Sequence, residues 1–173
     1  GISIGVNAVT AMLIGNRDNE GISETVHTAM VTSVISGLIL VFIGVVFTKP
    51  ILIIMGSPEN VLAKSALYLR IYFLGMPVIL LYNFEAAIFR SVGETKTPLL
   101  ALAFSGVLNV LLNLFFVAVL HMTVDGVAVA TVISNAISSA ILYRKLTATD
   151  KCIKVEFKKL GIDFDMLKRI LRI

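Results

Sequence analysis

The polar and apolar positions of this chain fall into long blocks rather than a short alternation. Residues 1–16 hold no Asp, Glu, Lys, Arg or His, and neither do residues 28–48, 97–120 or 126–143. The runs at 28–48 and 97–120 exceed the roughly 20 apolar residues that cross a hydrocarbon core as a helix, and 126–143 comes near the lower limit of about 17. Residues 62–89 form a further apolar block, interrupted by Lys64, Arg70 and Glu85 and carrying Gly75 and Pro77 near its middle.

Punctuation between the blocks predicts five membrane helices. The first ends near residue 15, before the polar turn GNRDNEG at 15–21. The second is expected from Glu24 to Thr48, with Ser23 as N-cap and Lys49-Pro50 as its stop. ILIIMG at 51–56 is too short to span and reads as an interfacial piece. Ser57-Pro58-Glu59 then supplies a cap, a first-turn proline and an acid at the positive end of the helix dipole. The third span covers Leu62 to Phe89 and should kink at Gly75 and Pro77, because proline deletes a backbone hydrogen bond. Thr97-Pro98 repeats the cap-then-proline start for a fourth span over 98–120, and the fifth runs from Val127 to Arg144. The expected fold class is therefore an all-α, polytopic membrane protein, with membrane helices over 1–144 and a basic linker over 145–173. At the end of that linker Phe164, Leu167, Ile170 and Leu171 oppose Lys168, Arg169 and Arg172 at helical spacing. This suits a helix on the membrane surface, or the start of a further span.

Composition agrees with the block pattern. Apolar residues make up 57% of the 173 and charged residues 15%, whereas soluble domains run near half and about a quarter; mean hydropathy is +0.94. With five spans, the loops at 16–24 and 90–97 and the segment 144–173 share one side. Of the 15 basic residues, all but Lys49, Lys64 and Arg70 lie there. The positive-inside rule places that side in the cytoplasm of a prokaryotic-type inner or plasma membrane. The net charge of +4 is then a topological signal, with anionic lipid as a secondary contact, and no nucleic-acid partner is expected. The chain starts at Gly1, is apolar from the outset and stops after a basic amphipathic run, so both ends are expected to be cuts in a longer protein.

No P-loop, G-x-S-x-G, C-x-x-C or H-E-x-x-H occurs, so no enzymatic activity, metal or cofactor is expected. Cys152 is the single cysteine. The chemistry-bearing candidates are intramembrane polar residues. Glu85 stands in LYNFEAAIFR beside Asn83, and a charge at the bilayer centre costs about 2.5–3.5 kcal/mol on insertion scales. Two readings are open. Glu85 is either an interfacial carboxylate, hydrated or paired with Arg90, or a protonatable or cation-binding group facing a cavity. Asn109 and Asn113 share one helical face by their spacing, either packing helices together or lining a substrate or ion cavity. Asn135, with Ser134, Ser138 and Ser139, repeats the theme in the last span.

Several stretches, in order, resemble the multidrug and toxic compound extrusion (MATE) family: GNRDNEG, LYLRIYFLGMPVILLYNFEAAIFRSVGETKTPL, LNVLLNLFFV and DGVAVATVISNAISSAILYR. The RSVGETKTPL connection at 90–99 is the strongest part, and Gly56-Ser57-Pro58-Glu59 fits an outer-loop pattern. The resemblance implies twelve helices in two six-helix lobes. This chain would run from the second part of helix 2 to helix 6 of the amino-terminal lobe, with DFDMLKRILRI leading into helix 7. The first helix and the second lobe of the same parent would be its missing partners. It further implies efflux of organic, often cationic, small molecules in exchange for Na+ or H+. A subset of the family has an Asp in helix 5 preceded four residues earlier by Asn. Asn109 matches the Asn, while Asn113 stands at the Asp. An amide takes up no proton near neutral pH, although its oxygen can coordinate sodium. Glu85 is expected to replace the missing acid in part. A lipid-linked oligosaccharide exporter of related architecture and a non-transporting membrane scaffold remain as alternatives, the scaffold needing none of Glu85, Asn109 or Asn113.

Overall fold

The computed structural model describes residues 1–173 and is built from helices alone. They are α1 (Ile2–Gly15), α2 (Asn19–Ile54), α3 (Glu59–Leu74), α4 (Met76–Ser91), α5 (Lys96–Leu114), α6 (Val124–Ala148) and α7 (Phe164–Leu171). A π turn, Phe115–Val119, prolongs α5, and a 3-10 turn, Phe157–Lys159, lies in the segment before α7. Three helices (α2, α5 with its π turn, and α6) are long and apolar enough to cross a membrane. The α3–α4 pair, bent by 45°, makes a fourth if taken as one span, and α1 is a shorter apolar helix. The bend falls at Gly75, next to Pro77, as the sequence predicts.

Several boundaries differ from the expectation. The N-cap of α2 is Asp18, not Ser23: the Asp18 carboxylate accepts the Gly21 N–H at 2.9 Å. Pro50 does not end α2, which runs on to Ile54, so 51–56 is the close of a long helix and not a separate interfacial piece. Proline forfeits only its own N–H, and unwinding the next turn in an apolar setting would strand several more backbone groups. Pro58 rather than Ser57 caps α3, without a side-chain bond. Thr95 caps α5, and the Thr97 hydroxyl instead donates to the Glu94 carboxylate. At the end of α4, Gly93 adopts φ +77°, and its N–H and that of Glu94 close back on the Arg90 and Phe89 carbonyls. Glycine takes that left-handed turn without strain.

α4 is the central helix, packed by α1, α2 and α6, while α5 packs on α6. The core runs through Val6 and Val9 of α1, Ile22 and Val26 of α2, Phe84 and Ile88 of α4 and Leu142 and Leu146 of α6. Ile153, Val155 and Ile170 of the linker belong to the same core. The linker therefore folds back on the helices as a strap. Its amide N–H groups at Glu156 and Asp163 donate to His27 Nε2 and Thr28 Oγ1, each at 2.9 Å. α7 packs on α1 and α2, and the carbonyl of its Ile170 faces Gly5, where a Cβ would come within 2.2 Å. By contrast α5 leaves Leu99, Leu100, Phe104, Val107 and Val110 exposed, the surface a helix presents to lipid.

Candidate functional site

The polar residues inside the bundle divide between two helix interfaces. The first is a seam between α5 and α6. Asn113 Nδ2 donates to Asn109 Oδ1 at 2.9 Å, one turn back along α5. Asn109 Nδ2 then donates across the interface to Ser134 Oγ at 3.1 Å and, more weakly, to Thr131 Oγ1 at 3.4 Å. Thr131 and Ser134 each return a hydroxyl bond to their own helix, at Val127 O and Thr131 O, both 3.0 Å. Lower on the same interface Ser138 donates to Ala101 O at 3.0 Å. Asn109 is thus used as both donor and acceptor, whereas Asn113 Oδ1 is buried and has no partner. An amide oxygen left without a donor in a dry interface costs roughly 1–3 kcal/mol.

The second interface is between α4 and α6. Glu85 is fully buried, at 0% exposure. Its Oε2 accepts the Ser139 hydroxyl at 2.9 Å, and Oε1 has no partner. The hydrated or Arg90-paired reading of Glu85 does not hold here. Arg90 is exposed and its Nε donates to Ala86 O at 3.1 Å. Glu85 lines no cavity either; Tyr82, Ala86 and Phe89 beside it on α4 are buried in the core. Nor does it stand where an acid at 113 would. At 1.5 Å per residue Glu85 lies about 9 Å from the end of α4 at Ser91, and Asn113 about 25 Å from the start of α5 at Lys96. The two polar centres are therefore at different depths as well as on different interfaces.

Asn83 and Asn135 join neither centre. Each bonds the carbonyl one turn back on its own helix, Ile79 and Thr131, at 2.8 Å. Asn83 also lines a cavity of about 480 Å³ with Ser3, Ser36, Ile39, Leu40 and Phe84, between α1, α2 and α4. A larger polar recess of about 670 Å³ lies where the strap meets the start of α2, lined by Glu20, Glu24, His27, Thr28 and Asp163 among others. His27 is buried inside α2; besides the Glu156 N–H it contacts Ser23 O through Nδ1 at 2.6 Å. Thr131, Ser139, His27 and Thr28 are the site and strap residues the sequence does not single out as bonded partners. For α6 the signal was present, in the i, i+3, i+7 recurrence of Thr131, Ser134 and Ser138 on one face. For the strap contacts there was none, because they join residues more than 120 positions apart.

Comparison with known proteins places the chain in a family. The family model described as MatE matches residues 1–115. The "Probable multidrug resistance protein YoeA" of Bacillus subtilis (strain 168) is 32% identical over 182 residues, covering 99% of this chain and 39% of that protein. The "Multidrug export protein MepA" of Staphylococcus aureus (strain NCTC 8325 / PS 47) is 22% identical, over 98% of this chain and 38% of that one. The solved structure "Crystal structure of MATE in the bent conformation" superposes with a TM-score of 0.93 at 25% identity, over 99% of this chain and 39% of its own. The chain spans about two fifths of the length of these curated relatives.

Proposed function

The chain belongs to the MatE family, and on that premise we propose that it forms part of the amino-terminal lobe of a secondary-active efflux antiporter. The cargo is organic, often cationic, small molecules, exchanged for Na+ or H+. A second lobe of the same parent supplies the facing half, and the basic loops and strap lie in the cytoplasm. Two things support this reading: the relatives named for multidrug resistance and export, and the α5/α6 seam. The seam is the observation that carries it. A scaffold gains nothing from an unsatisfied buried amide oxygen, because small apolar residues would pack the same interface without the desolvation cost. At Asn113 that oxygen has the lone pairs to coordinate a metal cation, whereas the amide takes up no proton near neutral pH. Polar groups set within spanning helices near the bilayer interior fit the general plan of secondary transporters.

The test is efflux of a cationic dye by the full-length parent in proteoliposomes, with sodium and proton gradients imposed separately. Gradient-driven efflux is expected, falling about tenfold in Asn109→Ala and Asn113→Ala, the rate equivalent of about 1.4 kcal/mol. Residues 1–173 alone are expected to move no dye. Absence of dye movement under either gradient would remove the antiport assignment, and wild-type coupling in both variants would return the seam to a packing role.

A further inference from the structure

Glu85 is left unexplained by the seam. It is a carboxyl group with no measurable exposure, held at the α4/α6 interface by a single hydrogen bond from Ser139. Its second oxygen is sealed from solvent and meets no donor. A bare carboxylate in that setting would lack both hydration and a counter-charge, the least favourable state for a buried ion. No cation on the neighbouring elements forms an ion pair with it, Lys64 and Arg70 of α3 and Lys96 of α5 included. On α4, Arg90 is turned to the Ala86 carbonyl, and the buried phenol of Tyr82 donates to Pro98 O at 3.1 Å. α1 carries no ionisable side chain. On α2 the buried titratable group is His27, both of whose ring nitrogens are occupied by Ser23 and the Glu156 amide. On α6 the charged residues, Asp125, Arg144 and Lys145, lie near its ends, and the group that meets the carboxyl is Ser139. The ion pairs of the folded chain all involve other carboxylates. A bound metal cation would need several oxygen ligands, and the one hydrogen-bonding partner of the carboxyl here is the Ser139 hydroxyl.

We propose that Glu85 and Ser139 form a proton-binding site of the lobe, separate from the amide seam. In the packing seen here the site is loaded: the proton sits on Oε1 as a neutral acid, and Oε2 accepts the Ser139 hydroxyl. The step is a simple exchange. When α6 separates from α4 far enough to admit water from the nearby basic end of the bundle, the Oε1–H bond breaks and the proton passes to that water. When the carboxylate recovers a proton, the helices close again. No other reactant is required. This rests on the transport reading for its purpose but not for its detection.

Infrared spectroscopy of the reconstituted full-length parent tests it directly. The expected result is a protonated-carboxyl C=O band at neutral pH that is lost in Glu85→Gln and kept in Glu94→Gln, a control in the loop after α4. The band should move to higher frequency in Ser139→Ala, where the hydrogen bond to the carbonyl oxygen is gone, and should fade as pH rises. If Glu85→Gln does not fold, the Ser139→Ala shift still identifies the acid in a folded protein. Absence of the band at neutral pH, its survival in Glu85→Gln, or its indifference to pH would each overturn the proposal. In the transport assay, efflux driven by a proton gradient should fall about tenfold in Glu85→Gln, with sodium-driven efflux unchanged. Were the parent to move no dye at all, the infrared result would stand by itself, so the two failures are distinguishable.

Discussion

The contact between α2 and α4 is the most extensive helix pairing in the bundle, and Gly37 is where it is tightest. The bend at Gly75 brings the backbone of Pro77 directly onto α2. A Cβ added at Gly37 would lie 2.3 Å from Pro77 Cα, 2.8 Å from its N and 2.9 Å from its Cβ. Favourable carbon–carbon contact begins near 3.5 Å, so Gly37→Ala demands that the backbones part by more than about 1 Å. The obstacle is main chain and a fixed ring, so no rotamer change relieves it. Overpacking of this kind costs about 1–3 kcal/mol, and the upper end applies where the backbone must move. At about 2–4 °C per kcal/mol for a chain of this size, that is a fall in Tm of about 6–12 °C. The paired control is Gly106→Ala. Gly106 lies on exposed α5 with nothing within 4 Å of the added Cβ, and alanine is the better helix former by about 1 kcal/mol. Thermal unfolding of the detergent-solubilised protein is the assay. A Gly37→Ala variant melting within a degree or so of wild type would refute the close-packed bend, and so would a Gly106→Ala variant that melts as low as Gly37→Ala.

Two further outcomes concern the strap. Lys151 donates to Glu94 at 2.5 Å, and this hydrogen bond, with that from Thr97, holds the Glu94 carboxyl below the usual carboxylate range. A depressed folded value means that the contact is fully present above the unfolded carboxylate's range and is lost as pH falls through and below it. A fluorophore on Cys152, the single and exposed thiol next to Lys151, should therefore report loosening on acidification; Glu94→Gln should abolish that pH dependence, and a label response identical in both proteins would contradict it. His27→Ala removes the acceptor of the Glu156 N–H, a loss of roughly 1–3 kcal/mol if the amide finds no other partner. Hydrogen exchange should quicken over residues 153–163, and unchanged protection there would show that the apolar anchors Ile153 and Val155 hold the strap without it.

The fold was legible along most of the chain because its main signals are local. A charge-free run either is or is not long enough to cross a bilayer, and Gly75 with Pro77 weakens a helix wherever its neighbours lie. Helix ends were harder. Asp18 and Ser23 are equally good caps by type, and the choice depended on the Asp18 carboxylate closing on the Gly21 amide, where a Cβ would sit 2.5 Å from it. Pro50 looked like a stop because the rule for proline comes from water, where the freed carbonyls have an alternative partner.

The candidate site divided in the same way. Asn109 and Asn113 share a face by spacing alone, and their bond to each other follows from the helix. Their partners Thr131 and Ser134, and the orphaned Asn113 oxygen, required the approach of α6. Glu85 changed most. Its position near a basic loop suggested water and Arg90 as company, yet the rotation of α4 directs it between helices onto Ser139. By itself the sequence determined the solvent, the long apolar runs that cross it and the polar residues within them, since each is set by composition over one turn or one span. Which of those polar groups meet, which stay unpaired and where the strap lands was decided by tertiary packing, because a hydrogen bond depends on separations of about 3 Å between groups that the chain places dozens of residues apart.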